Sequence, residues 1–191
     1  MMRLFIAWPL PDQVREQLGQ LISLCKGKGA SVKWVAAENI HLTARFLGDT
    51  EETLIPQINR VTDEVAGLSA AVNTEINRLG GFPNLKRPRV IWAGLGADCE
   101  TLAAIARQVE LRVRKLRYKP EKKSFKAHLT LGRVRRPQGL DALTDFLNEY
   151  RFVSIPVLFD RLCLFSSTLT PKGPIYKRLH ESMLTQDRFG E

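Results

Sequence analysis

The tripeptide His-Leu-Thr occurs twice in this chain, at residues 41–43 and again at residues 128–130. Each copy lies in a stretch with the alternating apolar pattern of a β-strand and is followed by a glycine, Gly48 in the first case and Gly132 in the second. The whole chain has only three histidines, so finding two of them in the same tripeptide is hard to attribute to chance. A repeat of this kind predicts two related halves that each contribute one strand to a shared site.

Side chains of residues i and i+2 in a β-strand point to the same face of the sheet. His41 and Thr43 therefore share one face, while Leu42 points to the other and can pack in a core. The same alternation applies to residues 128–130. If the two halves face each other, these strands bring two imidazoles and two threonine hydroxyls to one cleft, with room for a tetrahedral anion. The alternative is two half-buried strands whose polar faces match by coincidence.

The paired runs resemble the two-histidine phosphoesterase superfamily, and within it the RNA 2',3'-cyclic phosphodiesterases, also called 2'-5' RNA ligases. Three further stretches support the resemblance: Arg-Leu-Phe-Ile-Ala at residues 3–7, Pro-Arg-Val-Ile-Trp-Ala-Gly at residues 88–94 and Gly-Pro-Ile-Tyr at residues 173–176. The resemblance thus extends over essentially the whole chain. It implies a single bilobal phosphodiesterase domain over residues 1–191 with an internal pseudo-repeat.

Strand-like and helix-like segments interleave along the chain without one long parallel series, which favours an α+β fold over a doubly wound sheet. The pattern predicts a strand over residues 2–8, helices over residues 12–25 and about 98–116, and an irregular connection rich in Ser, Thr, Pro and Gly over residues 166–174. We expect two pseudo-symmetric lobes, each an antiparallel sheet with flanking helices, around a central cleft, as the resemblance also implies.

Hydrolysis of a phosphodiester needs a base, an acid and stabilisation of charge on the phosphoryl oxygens. Histidine can do either proton transfer near neutral pH, because its unperturbed pKa is about 6.5. By resemblance, the substrate is an RNA end with a 2',3'-cyclic phosphate and the product is a 2'-phosphate. We predict His41 as proton donor to the 3' oxygen and His128 as proton acceptor from water, although the sequence does not distinguish the two. Thr43 and Thr130 are predicted to donate hydrogen bonds to the non-bridging oxygens. The resemblance also implies 2'-5' RNA ligation as a reverse activity, with a 5'-hydroxyl in the place of water.

Two arginines are predicted to bind the substrate phosphate. Arg45 shares the strand parity of the first histidine, so we expect it to face the cleft. Strict alternation would turn Arg133 toward the core, which is unfavourable for a guanidinium. Gly132 directly before it indicates a bulge that would aim the arginine at the cleft, and the family pattern has an arginine at this position.

Among the aromatic residues, Phe125 is predicted to bind substrate by stacking on a base, with anchoring of the core or a loop as the alternative. Phe46 has the strand parity of Leu42, so we expect it to pack in the core. His180 lacks a threonine partner and is predicted to be a surface or structural histidine.

The chain has 29 Lys and Arg against 20 Asp and Glu, a formal net charge of +9. Residues 107–136 hold twelve of these basic residues and only two acidic ones, so this stretch accounts for the whole surplus. Such a cluster can attract a polyanion, although a solvated helix face followed by a basic loop has the same composition. Together with the histidine pair it favours an RNA partner, and tRNA fragments are one candidate.

Neither histidine motif has the Asp, Glu, His or Cys neighbours of a metal site, so we expect a reaction without metal or other cofactor. Cys25, Cys99 and Cys163 are odd in number and far apart, which fits a reducing cytoplasm better than a disulfide framework. The chain has no apolar run near the roughly 20 residues that span a bilayer and no signal-peptide pattern. We therefore expect a soluble, cytoplasmic monomer that does not bind membranes.

Three other functions stay open at this point. The first is an RNA-binding module without activity. The second is a phosphodiesterase for small nucleotides, such as a cyclic phosphate of ADP-ribose or a 2'-5' oligoadenylate. The third is a metal-dependent phosphohydrolase. The two intact His-x-Thr motifs argue against the first, and the basic cluster favours a longer polyanion than the second requires.

Overall fold

The computed structural model describes residues 1–96, 99–171 and 173–186. The predicted helix start at Asp98 and the end of the predicted domain, residues 187–191, lie outside them. The described strands are β1 (Met2–Pro9), β2 (Val32–Trp34), β3 (His41–Thr50), β4 (Val72–Phe82), β5 (Val90–Leu95), β6 (His128–Val134), β7 (Ile155–Phe159), β8 (Arg161–Thr170) and β9 (Gly173–Met183). The described α-helices are α1 (Asp12–Lys26), α2 (Ile55–Gly67), α3 (Cys99–Lys115) and α4 (Leu140–Glu149).

The strands form one antiparallel sheet in the order β7-β4-β5-β6-β3-β1-β8-β9, with β2 paired to β6 as well. The two strands that begin with the His-Leu-Thr segments, β3 and β6, are central neighbours. Outward from this centre, β5, β4 and β7 follow on one side and β1, β8 and β9 on the other. The predicted α+β fold with two pseudo-symmetric lobes is therefore confirmed.

The hydrophobic core lies between the sheet and the helices. Leu42 and Leu129, the middle residues of the two motifs, are fully buried on this side. They share the core with fully buried residues of the helices, such as Leu18 of α1, Ile58 of α2 and Val109 of α3. The opposite face of β3 and β6 carries the histidines and threonines, which are only half-buried. The core thus fixes which face of the central strands stays accessible.

The predicted irregular connection at residues 166–174 is wrong. This stretch continues β8 and β9 into a long hairpin, in which Thr168 pairs with Ile175 and Thr170 with Gly173. Ser and Thr are compatible with a strand when the partner strand supplies their backbone hydrogen bonds. At the tip, the Thr170 hydroxyl donates to the Gly173 carbonyl at 2.6 Å and stabilises the turn.

The helices of the described ranges include none that combines the length and the apolar character needed to cross a membrane. All three cysteine thiols are unpaired, and those of Cys25 and Cys163 are buried. The two buried thiols act as small apolar side chains, and burial raises the pKa of each to about 11.

Candidate active site

The two His-Leu-Thr segments lie side by side at the centre of the sheet. Leu42 of β3 pairs with Leu129 of β6 in antiparallel register, so each histidine lies opposite the threonine of the other segment. All four polar side chains share the face opposite to the leucines. The two histidines are then diagonal neighbours, which in an antiparallel pair means a separation of roughly 7–8 Å. A gap of this size can hold one phosphate group.

Each imidazole makes the same kind of hydrogen bond, from Nδ1 to a main-chain carbonyl two residues earlier. The Nδ1 atom of His41 lies 2.8 Å from the carbonyl oxygen of Asn39, and that of His128 lies 2.6 Å from the carbonyl oxygen of Lys126. A carbonyl oxygen can only accept, so Nδ1 carries the hydrogen in both rings. In the neutral state each Nε2 therefore has a free lone pair, able to accept a proton and to return it.

Aromatic side chains surround His41. Its ring stacks on Phe5 of β1 with a centroid distance of 4.7 Å and meets Tyr176 of β9 edge-on at 5.4 Å. The Asn39 side chain donates a hydrogen bond to the Pro174 carbonyl at 3.0 Å, which ties β9 to the segment before His41. Burial among these rings lowers the pKa of His41 to about 4, against the opposing effect of its bond to Asn39.

His128 has a more polar surrounding. Phe82 of β4 meets its ring edge-on at 5.0 Å, and the Lys126 ammonium lies 5.4 Å from the centre of the Phe82 ring. Burial also lowers the pKa of His128, the bond to the Lys126 carbonyl opposes this, and the charges of Arg133 and Lys126 lower it further. Without a bound anion, both imidazoles are thus mainly neutral at pH 7.

The two threonine hydroxyls are available to a ligand. Thr43 and Thr130 are half-buried on the histidine face. Within the part of the chain that the structure describes, neither hydroxyl has a hydrogen-bond partner in the protein. A ligand in the gap between the histidines would lie beside two unused hydroxyl donors.

A β-bulge follows each motif at the same position. The pairing of β3 with β1 shifts by one residue and leaves Ala44 as an extra residue in β3. The pairing of β6 with β5 shifts in the same way at Leu131. Each bulge lies three residues after the histidine and reverses the inward and outward alternation of the residues that follow, in β3 as far as Leu47, where the pairing shifts again.

The bulge at Ala44 makes the prediction of a substrate contact by Arg45 wrong. Beyond it, Arg45 points to the helix side of the sheet, where only 8% of its side chain is exposed. Its guanidinium lies 2.6 Å from Glu110 and 2.6 Å from Glu121, and it donates to the Lys119 carbonyl at 2.5 Å. The charge of Arg45 is therefore neutralised inside the protein by two carboxylates.

The same reversal corrects Phe46, whose predicted core packing is wrong. Its ring is 41% exposed on the histidine face. The guanidinium of Arg3 lies over this ring at 4.8 Å. Phe46 thus forms part of the cleft wall.

The predicted bulge before Arg133 is confirmed. Arg133 is exposed, and its charge lowers the pKa both of His128 in one lobe and of Tyr176 in the other, although burial raises the pKa of Tyr176 overall. Its guanidinium therefore lies between the two lobes. Gly132 is needed because a Cβ atom there would approach the Val32 side chain of β2 to 2.6 Å.

The predicted substrate contact of Phe125 is wrong. Its ring packs edge-on against Trp8 at 6.1 Å, and Trp8 is fully buried in the core. Phe125 belongs to the connection that returns from α3 to β6 along the helix side, away from the histidine face. His180 is the structural histidine that we predicted, since its Nε2 atom lies 2.7 Å from Asp63 of α2.

The basic cluster of residues 107–136 is divided between the two sides of the sheet. Its first part lies on α3, which packs against β3 and α2 on the core side. There Arg112 pairs with Glu64 of α2 at 3.4 Å. Lys126 and Arg133 border the cleft instead. The basic residues on α3 therefore do not face a ligand between the histidines.

A groove of about 760 Å³ opens next to His41, between the end of β1, the start of α1, and strands β8 and β9. Phe5, Phe165 and Tyr176 form its aromatic wall. Its three arginines, Arg15, Arg161 and Arg178, are each paired with a carboxylate. The groove is thus close to electrically neutral.

Sequence reasoning did not place Phe5, Tyr176 or Arg3 beside the cleft. Phe5 and Arg3 lie in the stretch 3–7, and Tyr176 ends the stretch 173–176. These stretches carried the family resemblance, but their residues have no polar repeat pattern of their own. Only the sheet order β3-β1-β8-β9 brings these side chains to the cleft around His41.

Comparison with known proteins decides the family. The sequence model described as LigT like Phosphoesterase matches this chain twice, over residues 8–92 and 95–176, and each match contains one His-Leu-Thr segment. The chain belongs to the LigT-like phosphoesterase family. The resemblance to the two-histidine phosphoesterase superfamily is thereby confirmed.

Individual members of the family match over nearly the whole chain. The RNA 2',3'-cyclic phosphodiesterase of Archaeoglobus fulgidus is 38% identical over 180 residues, which are 93% of this chain and 98% of that protein. The crystal structure of TT0787 of Thermus thermophilus superposes with a TM-score of 0.79 and 28% identity, covering 97% and 100% of the two chains. Escherichia coli LigT complexed with 3'-AMP shares the fold, with a TM-score of 0.76, 21% identity, and coverage of 97% and 99%.

The described residues contain no cluster of metal ligands, since no three His, Cys, Asp or Glu side chains among them are grouped so that they could hold a metal ion. The two motif histidines have main-chain carbonyls on Nδ1 and aromatic rings on their faces. These surroundings leave the Nε2 atom of each histidine available for proton transfer.

Proposed function

We propose that this protein hydrolyses RNA 2',3'-cyclic phosphate ends to 2'-phosphomonoesters by acid–base catalysis between His41 and His128. The observation that carries the proposal is the pairing of Leu42 with Leu129, which puts His41 and His128 on the same face of the sheet. Each histidine uses Nδ1 for a main-chain hydrogen bond and keeps Nε2 for proton transfer. Membership of the LigT-like family and the name of the Archaeoglobus fulgidus relative support the reaction class. Curated relatives at 31–38% identity carry the same name.

In the proposed reaction, Nε2 of His128 takes a proton from water as its oxygen attacks phosphorus. The bond between phosphorus and the 3' oxygen breaks, and the protonated Nε2 of His41 gives its proton to that oxygen. The ring opens to a 2'-phosphomonoester and a free 3'-hydroxyl. The two imidazoles have then exchanged protonation states, and proton transfer with solvent restores the starting pair.

Charge that develops on the non-bridging oxygens needs preorganised donors. The hydroxyls of Thr43 and Thr130 have no other partner in the described part of the protein, and Arg133 adds a positive charge between the lobes. A guanidinium can donate two parallel hydrogen bonds to a phosphate. We assign these three residues to binding and stabilising the phosphate, and we assign Arg45 and Phe125 to the fold.

The same chemistry permits ligation. If the 5'-hydroxyl of a second RNA takes the place of water, it gives its proton to His128 as its oxygen attacks phosphorus. The 3' oxygen leaves with a proton from His41, and a 2'-5' linkage results. Water is far more abundant than RNA 5' ends, so we expect hydrolysis to dominate. We further propose one bilobal domain with an internal pseudo-repeat, acting as a cytoplasmic monomer on RNA ends that include tRNA fragments.

The reaction is expected to need no metal, because the donors described above supply the positive and hydrogen-bonding groups. Incubation of the protein in excess chelator with RNA ending in a 2',3'-cyclic phosphate should give full turnover and only the 2'-phosphate. Chromatography against 2'- and 3'-phosphate standards checks both points. Loss of activity in chelator, restored by a divalent cation, would indicate a metal-dependent phosphohydrolase instead.

The pH dependence follows from the two histidines. The reactive form has His41 protonated and His128 neutral, and the fraction of protein in this form is largest at a pH between the two pKa values. Because the pKa of His41 is lowered to about 4, this form is a minority of the free protein above that pH. In the free protein, the pKa of His41 is lowered to about 4 and that of His128 is lowered below its ordinary 6.5. We therefore expect kcat/KM to be bell-shaped with its maximum below pH 6.5, falling as both rings become neutral. A bound phosphate anion favours imidazolium, so the optimum of kcat should lie at higher pH. Rates measured from about pH 4 to 9 check this, and a flat profile would contradict proton transfer by these residues.

A further inference from the structure

Arg3 is a second cation at the cleft for which the proposed reaction has no role. It lies on β1 two residues before Phe5, on the same face of the strand, and Phe5 stacks on His41. Two residues of a strand span about 6.6 Å, so Arg3 lies roughly that distance beyond Phe5 along β1, on the side away from Pro9, which pairs with His41. Its guanidinium lies over the exposed ring of Phe46 at 4.8 Å.

The charge of Arg3 is not neutralised within the described part of the chain. Asp49 lies opposite it in the strand register, but no carboxylate forms an ion pair with Arg3 there. Arg3 and Arg133 both lower the pKa of Tyr176, which burial raises, so both cations lie near this phenol. Arg133 lies on β6, the strand that carries His128, whereas Arg3 lies on β1, beyond β3 in the sheet. Arg3 is therefore the outer and Arg133 the inner of two neighbouring cations.

At the other end of the cleft, the arginines are neutralised by carboxylates. The arginines of the groove next to His41 are occupied by carboxylates, with Arg161 held by Asp160 at 2.7 Å and Arg178 paired with Glu181. A second phosphate there would have to compete with these acids. At the Arg3 end, a phosphate meets a cation without a competing carboxylate, and a base can lie on the Phe46 ring.

We propose that Arg3 binds the phosphodiester that precedes the terminal cyclic phosphate, so that the site selects oligonucleotide ends over cyclic mononucleotides. This inference rests on the proposed function, since it places the terminal cyclic phosphate between the histidines. Arg133 then binds the terminal phosphate and Arg3 the next one along the chain. Phe46 lies beside the penultimate nucleoside.

The test compares three substrates: uridine 2',3'-cyclic phosphate, the dinucleotide UpU with the same cyclic end, and that dinucleotide with a neutral methylphosphonate linkage. For the wild-type protein, we expect kcat/KM for the charged dinucleotide to exceed that for the neutral one by about tenfold, mostly through KM. In Arg3→Gln this difference should disappear, while hydrolysis of the mononucleotide stays within about twofold. Arg3→Lys should keep part of the difference, because it keeps the charge.

Salt provides a second readout that a merely structural role would not change. Loss of one phosphate contact should reduce the slope of log kcat/KM against log salt for the charged dinucleotide by about 0.7. Arg60→Gln is the matched control, because Arg60 lies on α2, on the core side of the sheet and away from the cleft. It should leave linkage preference and salt slope as in the wild-type protein.

The possible results separate the two proposals. If Arg3→Gln keeps the full linkage preference, or slows the mononucleotide as much as the dinucleotide, the subsite is overturned while the reaction stands. Equal wild-type rates on the charged and neutral dinucleotides would also overturn the subsite alone. A wild-type protein that hydrolyses none of the three substrates would overturn the proposed function and the subsite with it.

Discussion

Replacement of either motif histidine should nearly abolish hydrolysis of RNA 2',3'-cyclic phosphate ends. His41→Ala and His128→Ala each remove one proton transfer, and we expect kcat/KM to fall about 10²–10⁴-fold in each variant. Both side chains are only half-buried and lie on the open face of the sheet, so the fold should persist. The double variant should be little worse than either single one, because the two groups act as a unit. Steady-state kinetics together with circular dichroism check the expectation.

The third histidine provides the matched control. His180 bonds to Asp63 between β9 and α2, so His180→Ala should leave kcat/KM within about threefold even if it lowers stability. A motif variant with near-normal turnover would contradict the paired-histidine mechanism. Wild-type protein that binds RNA with a cyclic end but never opens it would instead support a binding module without activity.

Replacement of Arg45 should reduce stability rather than substrate binding. Arg45→Ala leaves the carboxylates of Glu110 and Glu121 without their cation in a partly buried place. Removal of one partner of such a network costs about 3 kcal/mol, which for a chain of this length lowers Tm by about 6–12 °C. Arg45→Lys should recover little of this, because an ammonium cannot reach both acids and the Lys119 carbonyl with the same geometry. Thermal unfolding measures the effect.

Arg112→Ala is the comparison for this experiment. Arg112 pairs with Glu64 at 3.4 Å, and the carboxylate is 63% exposed, so its loss should change stability by less than about 1 kcal/mol. Well below Tm, Arg45→Ala should keep kcat/KM within a few-fold of wild type. If the variant had an unchanged Tm and a large loss of activity, this result would indicate that Arg45 binds the substrate.

The arrangement of the site was predictable from the sequence as far as strand alternation holds. Between each histidine and its threonine the strand is regular, so the spacing of two residues correctly puts both side chains on one face. The leucine between them is apolar because it enters the core. The repeat itself indicated that the two strands would be related, although it did not show that they would be direct neighbours.

The alternation fails at the bulges, and the wrong expectations for Arg45 and Phe46 both come from that point. At Ala44 the sequence has neither Gly nor Pro, so nothing marks the extra residue, and the predicted sides of Arg45 and Phe46 are exchanged. At Leu131 the following Gly132 gives a usable signal, and the prediction for Arg133 is right about the bulge. The acids that hold Arg45 are distant in sequence, so their contact depends on tertiary packing.

The wrong predictions for Phe125 and for residues 166–174 have a different cause. An aromatic ring in a basic connection can stack on a nucleic-acid base or pack in the protein core. The contact between Phe125 and Trp8 shows that this ring packs in the core. Ser, Thr, Pro and Gly are typical of loops, but the hairpin of β8 and β9 draws its stability from pairing between strands. Local composition does not contain this information.

Between β3 and β6 the pairing is limited to Leu42 and Leu129, so the two halves of the sheet are joined by a narrow seam. Each half can accordingly change its own wall without disturbing the partner strand. One wall is lined by Phe5 and Tyr176 and the other by Phe82 with Lys126 beside it, while the hydrogen bond on each histidine comes from its own half. A framework of two lobes joined in this way can diversify its specificity one lobe at a time and still keep a matched pair of histidines.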